Sequence, residues 1–472
     1  MRRDDFRKKK IAILGVGMEG VAVANFLVEV ASKITLCDKL SKEELAERAE
    51  ADADGSLKKI LSDERFEQNF GESYMGNLTD YDYIFRSPGI SYLNPKIQEA
   101  KVAGVEITSQ LKLFFDLCPS KIIGVTGTKG KGTTSSLIEL MMKKAKSSKL
   151  KAKSFGNVYL AGNIGKPAIT LLDKLKPEDW VILELSSFQL QDLGKSPDIA
   201  VIVNMAVDHL DYHEDEEEYF EAKTSIVKYQ SKNDTVIANK DYPNAVRLAQ
   251  LSKGNKLYFS AIAEVDSSIR NDAVFLGEDK ICESSEINLV GRHNLENIAA
   301  AALAAHEAGT DIESIKSAAK EFKGLPHRLE LVAEINGVKY YNDSFATNPE
   351  PTIAAIRSFS ESVVLILGGS SKKADFSKLA EEIRKSSVKT IIIIGVEGTI
   401  IKKALETTGV AKEIVDGPDS IDDIVAVAES KAESGDIVLF SPACASFDMF
   451  KNYKDRGEKF KKAVNNTHRT NT

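Results

Sequence analysis

Cysteine is sparse and scattered. Cys37, Cys118, Cys282 and Cys444 are the only four in 472 residues, and no two lie at a metal-binding or disulfide-framework spacing. That excludes a small disulfide-stapled scaffold and suits a reducing compartment, so a cytoplasmic protein is expected. A basic surplus is missing too. The 63 Lys and Arg against 70 Asp and Glu leave a net charge of −7, opposite in sign to the surface of a dedicated nucleic-acid binder, so no nucleic-acid partner is expected. An uninterrupted apolar run of membrane length is also lacking. The nearest approach, Ile11–Ala31 behind the basic Met1–Lys10, is broken by Glu19, Asn25 and Glu29 and turned by Gly15 and Gly17. It reads as a strand followed by a helix, not as a signal peptide or a span, and no membrane association is expected.

What is present is ordinary globular material, 43% hydrophobic and 28% charged, in a length that suggests about three domains of ~150 residues. Short β-branched runs alternate with helical spacing throughout, which points to an α/β protein. Pro119-Ser120 is one plausible boundary and the stretch near His327 another. The expected domains are therefore 1–119, 120–326 and 327–472.

The most informative stretch is Ile122–Thr134. The strand Lys121–Val125 enters a loop with Gly127, Gly130 and Gly132, and Ser135–Lys143 follows with helical spacing. Strand, glycine loop and helix together bind polyphosphate: backbone N–H groups approach the oxygens, the helix start adds positive potential, and Lys131 supplies a cation. The spacing departs from the standard phosphate loop, because Val125 stands where a glycine is usual and Gly132 replaces the hydroxyl residue after the lysine.

Near the N-terminus, Ile11–Leu14, Gly15-Val-Gly-Met-Glu-Gly20, a helix over 21–30 and a strand ending at Asp38 form a Gly-x-Gly-x-x-Gly unit with an acidic residue where a ribose contact is expected. A lone example serves a dinucleotide, another diphosphate, or close packing alone. Residues 41–71 are charged and read as solvated surface. Arg86-Ser-Pro-Gly-Ile90 is a strand-end loop. Glu184 ends the apolar strand Val181–Leu185, an expensive position for a charge unless it faces a ligand; a carboxylate beside a phosphate loop suits Mg²⁺, with a salt-bridged glutamate as the bland reading. Asp208-His-Leu-Asp-Tyr-His213 follows the strand 199–203, and an acidic helix start at 215–218 continues to Tyr229. Asn294 and Asn297 either read a base or cap the helix 298–308. The third region has strands at 339–341, 363–367, 390–394 and 437–440, three of which end in Ser/Gly/Asn-rich loops: 342–349, 368–375 and 441–448.

Taken together, Glu184-Leu-Ser-Ser-Phe-Gln189, Gly324-Leu-Pro-His-Arg328, Asn342-Asp-Ser344 and Ser441-Pro-Ala-Cys-Ala-Ser446 resemble the Mur ligases, ATP-dependent amide ligases of peptidoglycan precursor synthesis, and most closely their D-glutamate-adding branch. The resemblance implies three α/β domains: a Rossmann-like N-terminal domain, a central P-loop-type ATPase domain with a mostly parallel sheet, and a Rossmann-like C-terminal domain. It implies ATP, UDP-N-acetylmuramoyl-L-alanine and D-glutamate as substrates, two Mg²⁺ ions and a monomer. The UDP substrate falls to Gly17, Met18, Asp38, Ser87, Gly89, Asn163 and Ser186. ATP falls to Gly127, Thr128, Lys129, Gly130, Lys131, Gly132, Thr133, Thr134, Asn294, Asn297, His327, Arg328 and Asp343. D-Glutamate falls to Thr347, Lys372, Ser446 and Tyr453. Lys131, Glu184, His209 and Lys223 match catalytic positions; Glu184, His209 and a carbamylated Lys223 match metal ligands.

Four residues depart from the family pattern. Lys129 replaces an asparagine, Gly132 removes a metal-contacting hydroxyl for which Thr133 or a water is the candidate substitute, Phe345 replaces a common lysine, and Tyr453 a common phenylalanine. Rival readings are a neighbouring ligase adding meso-diaminopimelate or L-lysine, which the 208–213 stretch resembles, and folylpolyglutamate synthase, against which the first domain argues. A non-catalytic nucleotide-binding protein and an NAD-dependent dehydrogenase resting on Gly15–Gly20 come from other classes.

Overall fold

The computed structural model describes residues 2–50, 52, 55–147, 155–205, 215–371 and 374–470. The chain divides into two compact units, Met1–Ile287 with Arg292–Lys320, and Asn288–Gly291 with Glu321–Thr472.

The first unit carries two sheets. In the first, β1 (Lys10–Leu14), β2 (Lys33–Asp38), β3 (Phe66–Phe70), β4 (Tyr83–Arg86) and β5 (Glu106–Thr108) lie in the order β3-β2-β1-β4-β5, all parallel. The chain winds outward from β1 in one direction and resumes at β4 on its other side. A crevice therefore opens above the ends of β1 and β4, where the Gly15 turn and the Ser87 loop emerge.

The second sheet holds β6 (Lys121–Thr126), β7 (Val158–Gly162), β8 (Trp180–Glu184), β9 (Ile199–Ile202), β10 (Thr235–Asn239), β11 (Asn255–Ser260), β12 (Ser267–Arg270), β13 (Ala273–Leu276) and β14 (Asp279–Glu283). Its order is β14-β13-β12-β11-β10-β9-β6-β8-β7, parallel except where β13 pairs with β12 and β14. Again the winding reverses, this time around β6, whose register sets Val125 beside Glu184 and Thr126 beside Ile202. Runs such as Ile122-Ile-Gly-Val125 and Val181-Ile-Leu183 are apolar at nearly every position because a parallel sheet is covered on both faces.

The second unit holds β15 (Glu330–Ile335), β16 (Val338–Asn342), β17 (Val363–Gly368), β18 (Val388–Ile394), β19 (Glu413–Asp416) and β20 (Ile437–Phe440), in the order β15-β16-β20-β17-β18-β19, with only β15 antiparallel. One cluster around Leu365 and Leu439 and another around Ile366 and Phe440 fill its two faces.

Several sequence expectations are corrected. Residues 41–71 are not merely solvated surface: helices Lys42–Glu50 and Ser56–Leu61 and strand β3 bury Leu45, Ala49, Leu57, Ile60 and Phe66. The dense charges lie outward and mask a small inward set spaced three or four apart. Strands β15 and β19 were not anticipated, since their residues alternate only weakly in exposure. The acidic helix spans only Glu216–Lys223 and then tightens into a 3₁₀ turn, Thr224–Ile226, instead of continuing to Tyr229. Asn294 and Asn297 cap nothing, for both lie buried inside the helix His293–Glu307.

Candidate active site

The loop after β6 is shaped by two glycines in the left-handed half of backbone space. Gly127 has φ +150° and Gly130 φ +84°, and a Cβ on Gly130 would lie 2.3 Å from Asn297 Oδ1. Asn204, at the end of β9, holds the loop from the side. Its carbonyl and Oδ1 accept from Thr128 N (2.9 and 3.1 Å), and Oδ1 accepts from Lys129 N (2.9 Å). Asn297 holds it from behind: its Oδ1 accepts from Thr134 Oγ1 (3.3 Å) while its Nδ2 donates to Asn294 Oδ1 (2.9 Å). Asn294 and Asn297 are thus committed to each other and to the loop.

Thr134 is part of the same bracing. Its fully buried hydroxyl donates to Asn297 Oδ1 and its N–H donates to Gly130 O (2.9 Å), so it braces the loop. Lys131 Nζ donates to the carbonyls of Gly127 (3.0 Å) and Thr128 (3.1 Å), folding the cation over the loop. Gly132 and Thr133 lie in the first turn of helix Lys131–Ser147, and Lys129 is exposed at the loop tip. The nearby His293 is held below its usual pKa by burial and by the Lys129 charge.

Beside this loop, Glu184 closes β8 at 7% exposure. Asn163 clamps it twice, N to Glu184 O and Nδ2 to Oε1, each at 2.9 Å, which leaves Oε2 as the carboxylate oxygen without a hydrogen bond among the described residues. Gly162 makes that approach possible, because a Cβ there would meet Glu184 O at 2.3 Å. Behind them lies Lys223, last residue of its helix and 1% exposed. Its Nζ donates to Thr126 Oγ1 (3.5 Å) and stands 4.8 Å from the centre of the Tyr219 ring. Tyr219 Oη in turn meets Thr128 Oγ1 at 3.2 Å. Lys131, Glu184 and Lys223 are therefore brought to one edge of one sheet.

At the first sheet, Asp38 turns inward to its own turn. Oδ2 accepts from Val16 N (2.8 Å) and Oδ1 from Leu40 N (3.0 Å). Ser87 Oγ donates to Gly15 O (3.0 Å), tying the β1 and β4 loops together. Gly17 and Gly89 have open space around them and Met18 is exposed, so this face is free to accept a ligand. Across to the central sheet, Arg86 bonds Ile90 O (2.6 Å), Phe188 O (3.1 Å) and Asp192 Oδ1 (2.6 Å) in a buried ion pair.

In the second unit, His327 and Leu329 carry φ +64° and +43°, a left-handed kink in side-chain-bearing residues that a rigid surround must hold. The surround is visible. Phe345 N donates to His327 O (3.0 Å), Leu329 N to Asp343 Oδ1 (3.2 Å), His327 N to Glu330 Oε2 (2.9 Å), and Asn342 Nδ2 meets His327 Nδ1 at 3.0 Å. Burial lowers the His327 pKa and pushes Asp343 up to about 7, against the lowering effect of Ser441 Oγ, which donates to its Oδ2 (2.7 Å). The Arg328 guanidinium lies 3.9 Å from the Phe345 ring centre, and Phe345 meets Tyr453 edge-on at 5.0 Å. Thr347 is half-buried after β16, and Ser446 is buried after β20.

Asn204, Tyr219 and Arg456 were not singled out as site residues from sequence. Arg456 is fully buried and binds Ser344 Oγ and O, Cys444 O and Ala445 O at 2.8–3.1 Å, with burial pushing its pKa down to about 10. An arginine in a charged helix gives no signal of this. His209, the whole 208–213 stretch and Lys372 lie outside the described residues. Among the described residues no three His, Cys, Asp or Glu side chains cluster as a metal site, and no helix is long and apolar enough to cross a membrane.

Comparison with known proteins places three family models along the chain: a "Mur ligase MurD-like, N-terminal domain" over residues 9–109, a "Mur ligase middle domain" over 125–305 and a "Mur ligase, glutamate ligase domain" over 327–444. A UDP-N-acetylmuramoylalanine–D-glutamate ligase of Clostridium kluyveri is 38% identical over 471 residues, covering 98% of each chain. One from Acetivibrio thermocellus is 39% identical over 477 residues, also covering 98% of each. Among solved structures, a UDP-N-acetylmuramate–alanine ligase of Thermotoga maritima matches with TM-score 0.58 at 17% identity, covering 97% of this chain and 100% of its own, a likeness of fold alone.

Proposed function

The chain belongs to the Mur ligase family, and from that premise we propose that it is the ATP-dependent ligase joining D-glutamate to UDP-N-acetylmuramoyl-L-alanine in peptidoglycan precursor synthesis. The observation that carries this reading is the match along 98% of the chain to ligases of that name. The geometry supports it, since a braced glycine loop, a strand-end glutamate and a buried lysine share the carboxyl edge of the central sheet.

In this reading residues 1–119 take the UDP end of the substrate through Gly17, Met18, Asp38, Ser87 and Gly89. Residues 120–326 run the phosphoryl transfer, and 327–472 take the amino acid. The substrate carboxylate attacks the γ-phosphate of ATP, giving an acyl phosphate and ADP. The amine of D-glutamate then adds to that carbonyl, and the tetrahedral intermediate expels phosphate. Two anions must be gathered for the first step. Lys131 and the loop N–H groups of 127–133 supply positive potential, and Asn163 and Ser186 orient the muramoyl end. His327, Arg328 and Asp343 are assigned to the nucleotide, and Thr347, Lys372, Ser446 and Tyr453 to D-glutamate.

Glu184 fits a hard divalent cation: it is a strand-end carboxylate with one oxygen fixed by Asn163 and the other without a hydrogen bond among the described residues. Mg²⁺ there would neutralise phosphate charge. Gly132 offers that metal no hydroxyl, leaving Thr133 or a water to supply the contact. Lys223 fits the second Mg²⁺ only after its neutral amine adds to CO₂ with loss of a proton, which turns a buried cation into an oxygen-donor carbamate; His209 is its assigned companion. The protein is read as a cytoplasmic monomer.

The test is phosphate release from ATP with UDP-N-acetylmuramoyl-L-alanine and, separately, D-glutamate, L-glutamate, L-lysine or meso-diaminopimelate. Release with D-glutamate alone is expected. Release only with a diamine and the longer UDP precursor would move the chain to the neighbouring ligase.

A further inference from the structure

Arg86 closes β4 and lies between two segments that the proposed function gives to one substrate. Its Nη1 donates to Ile90 O (2.6 Å), which draws the far end of the Ser87–Ile90 loop back toward the strand. Its Nη2 donates to Phe188 O (3.1 Å) and Asp192 Oδ1 (2.6 Å), both in the central region. Phe188 belongs to the helix Ser187–Leu190, whose N-cap is Ser186 and whose preceding strand ends at Glu184. One guanidinium therefore grips both the loop that carries Ser87 and Gly89 and the helix that starts at Ser186.

The bridge is built to hold. The side chains of Arg86 and Asp192 are 1% and 5% exposed, and a guanidinium does not shed its charge, so the pair stays together where it is buried. The planar fork also sends its two nitrogens to different partners in fixed directions. Lys195 and Asp116 join the same two regions, but that lysine is 39% exposed and neither residue belongs to a segment assigned to substrate.

The substrate must be held at both ends at once. In the proposed function its uridine diphosphate rests on the first sheet while its terminal carboxylate reaches the edge of the central sheet beside Glu184. We propose that Arg86, paired with Asp192, is a specificity-determining positioning residue that fixes the span between those two points. The ligase then selects precursors by the distance from diphosphate to carboxylate. This rests on reading the first sheet as the UDP site. A β-alanyl precursor carries its carboxylate one C–C bond farther out, about 1.5 Å, and a misplacement of about 1 Å costs roughly 10²-fold in rate.

The experiment compares kcat/KM for UDP-N-acetylmuramoyl-L-alanine and its β-alanyl analogue, with ATP and D-glutamate saturating. The variants are Arg86→Met, Asp192→Ala, the Arg86→Met/Asp192→Leu double and Lys195→Ala, each checked by thermal melting. The wild type is expected to prefer the L-alanyl substrate by roughly 10²-fold, and Arg86→Met and Asp192→Ala to shrink that preference about tenfold. The glycyl analogue, of unchanged length, controls for the missing methyl and should follow the L-alanyl substrate in every variant. Free UDP engages one end only, so its inhibition constant should stay within about twofold in Asp192→Ala, where Arg86 still holds Ile90 O. The double variant replaces the ion pair by apolar side chains and is expected to recover the melting temperature without the preference. It also carries the test should either single variant fail to fold. Lys195→Ala should leave the preference unchanged. The proposal is overturned by a wild type that does not discriminate, by a preference that survives in the Arg86 and Asp192 variants or returns with the melting temperature in the double, or by an equal loss in Lys195→Ala. Free UDP that fails to compete with substrate in the wild type would instead overturn the reading of the first sheet, and the proposal with it.

Discussion

The two glycine turns of the first unit look alike in sequence and are supported by opposite chemistry. Behind Gly15–Gly20 stands a carboxylate: Asp38 accepts from Val16 N and Leu40 N. Behind Gly127–Gly132 stands a neutral amide: Asn204 accepts from Thr128 N and Lys129 N. On the proposed assignment of the UDP end to the first turn and ATP to the second, the anion is tolerable where the ligand presents hydroxyl and N–H groups along with phosphate. Against a triphosphate it would cancel the field of Lys129 and Lys131, and a neutral acceptor braces the loop without that repulsion. A glycine pattern therefore reports the shape of a loop, and the residue bracing it from the neighbouring strand reports the ligand.

The largest effect that would sharpen this contrast is at the cation. Lys131→Ala is expected to lower kcat/KM roughly 10²–10³-fold with little change in melting temperature, as for removal of one charge-stabilising donor. Asp38→Ala should instead raise KM for the UDP substrate about tenfold and leave ATP unaffected, by freeing two loop N–H groups. Steady-state kinetics with each substrate varied in turn checks both; a common defect in ATP would break the contrast.

Backbone substitutions come next. Gly20→Ala drives a Cβ to 2.1 Å from Gly15 O, and Gly130→Ala combines φ +84° with a 2.3 Å approach to Asn297. Each is expected to cost about 1–3 kcal/mol in chemical denaturation. Gly17→Ala, with nothing within 4 Å, should stay within about 0.5 kcal/mol.

A second carboxylate, Asp343, braces Leu329 N as Asp38 braces Val16 N, yet burial pushes it up to about 7. Its folded pKa exceeds its ordinary 3.8, so the folded state binds the extra proton. The stability this adds is complete below pH 3.8 and disappears as pH rises through about 7. Asp343→Asn is expected to flatten that part of the wild-type stability–pH curve, measured by melting at fixed ionic strength. The smallest effect belongs to Phe345, whose ring faces Arg328. Phe345→Leu should raise KM for ATP about two- to fivefold, the scale of an exposed cation–π contact, with Phe345→Tyr near wild type.

Much of this architecture was legible along the chain. The glycine loops, Lys131, Glu184 and the three C-terminal loops stand out because they interrupt strong apolar runs, and a polar residue at the end of a buried strand has few bland explanations. The buried helices of 41–71 were hidden because two inward residues per helix among many charges leave almost no periodic signal. The capping alternative for Asn294 and Asn297 fails for a different reason. Local preference favours asparagine as a cap, and only the packing of helix His293–Glu307 against the phosphate loop turns both side chains inward.

By itself the sequence determined the α/β class, the phosphate loop with its lysine, and, through motifs spread along nearly the whole chain, the family. These are properties of short segments, where spacing alone fixes which groups sit together. The tertiary structure decided that Asp38 and Asn204 brace unlike turns, that Thr134 faces inward, and that Glu19 reaches Gln189 across 170 residues of chain. Those outcomes depend on which strand lies beside which, and strand order is set by burying whole faces of the sheets, a global condition that no local pattern encodes.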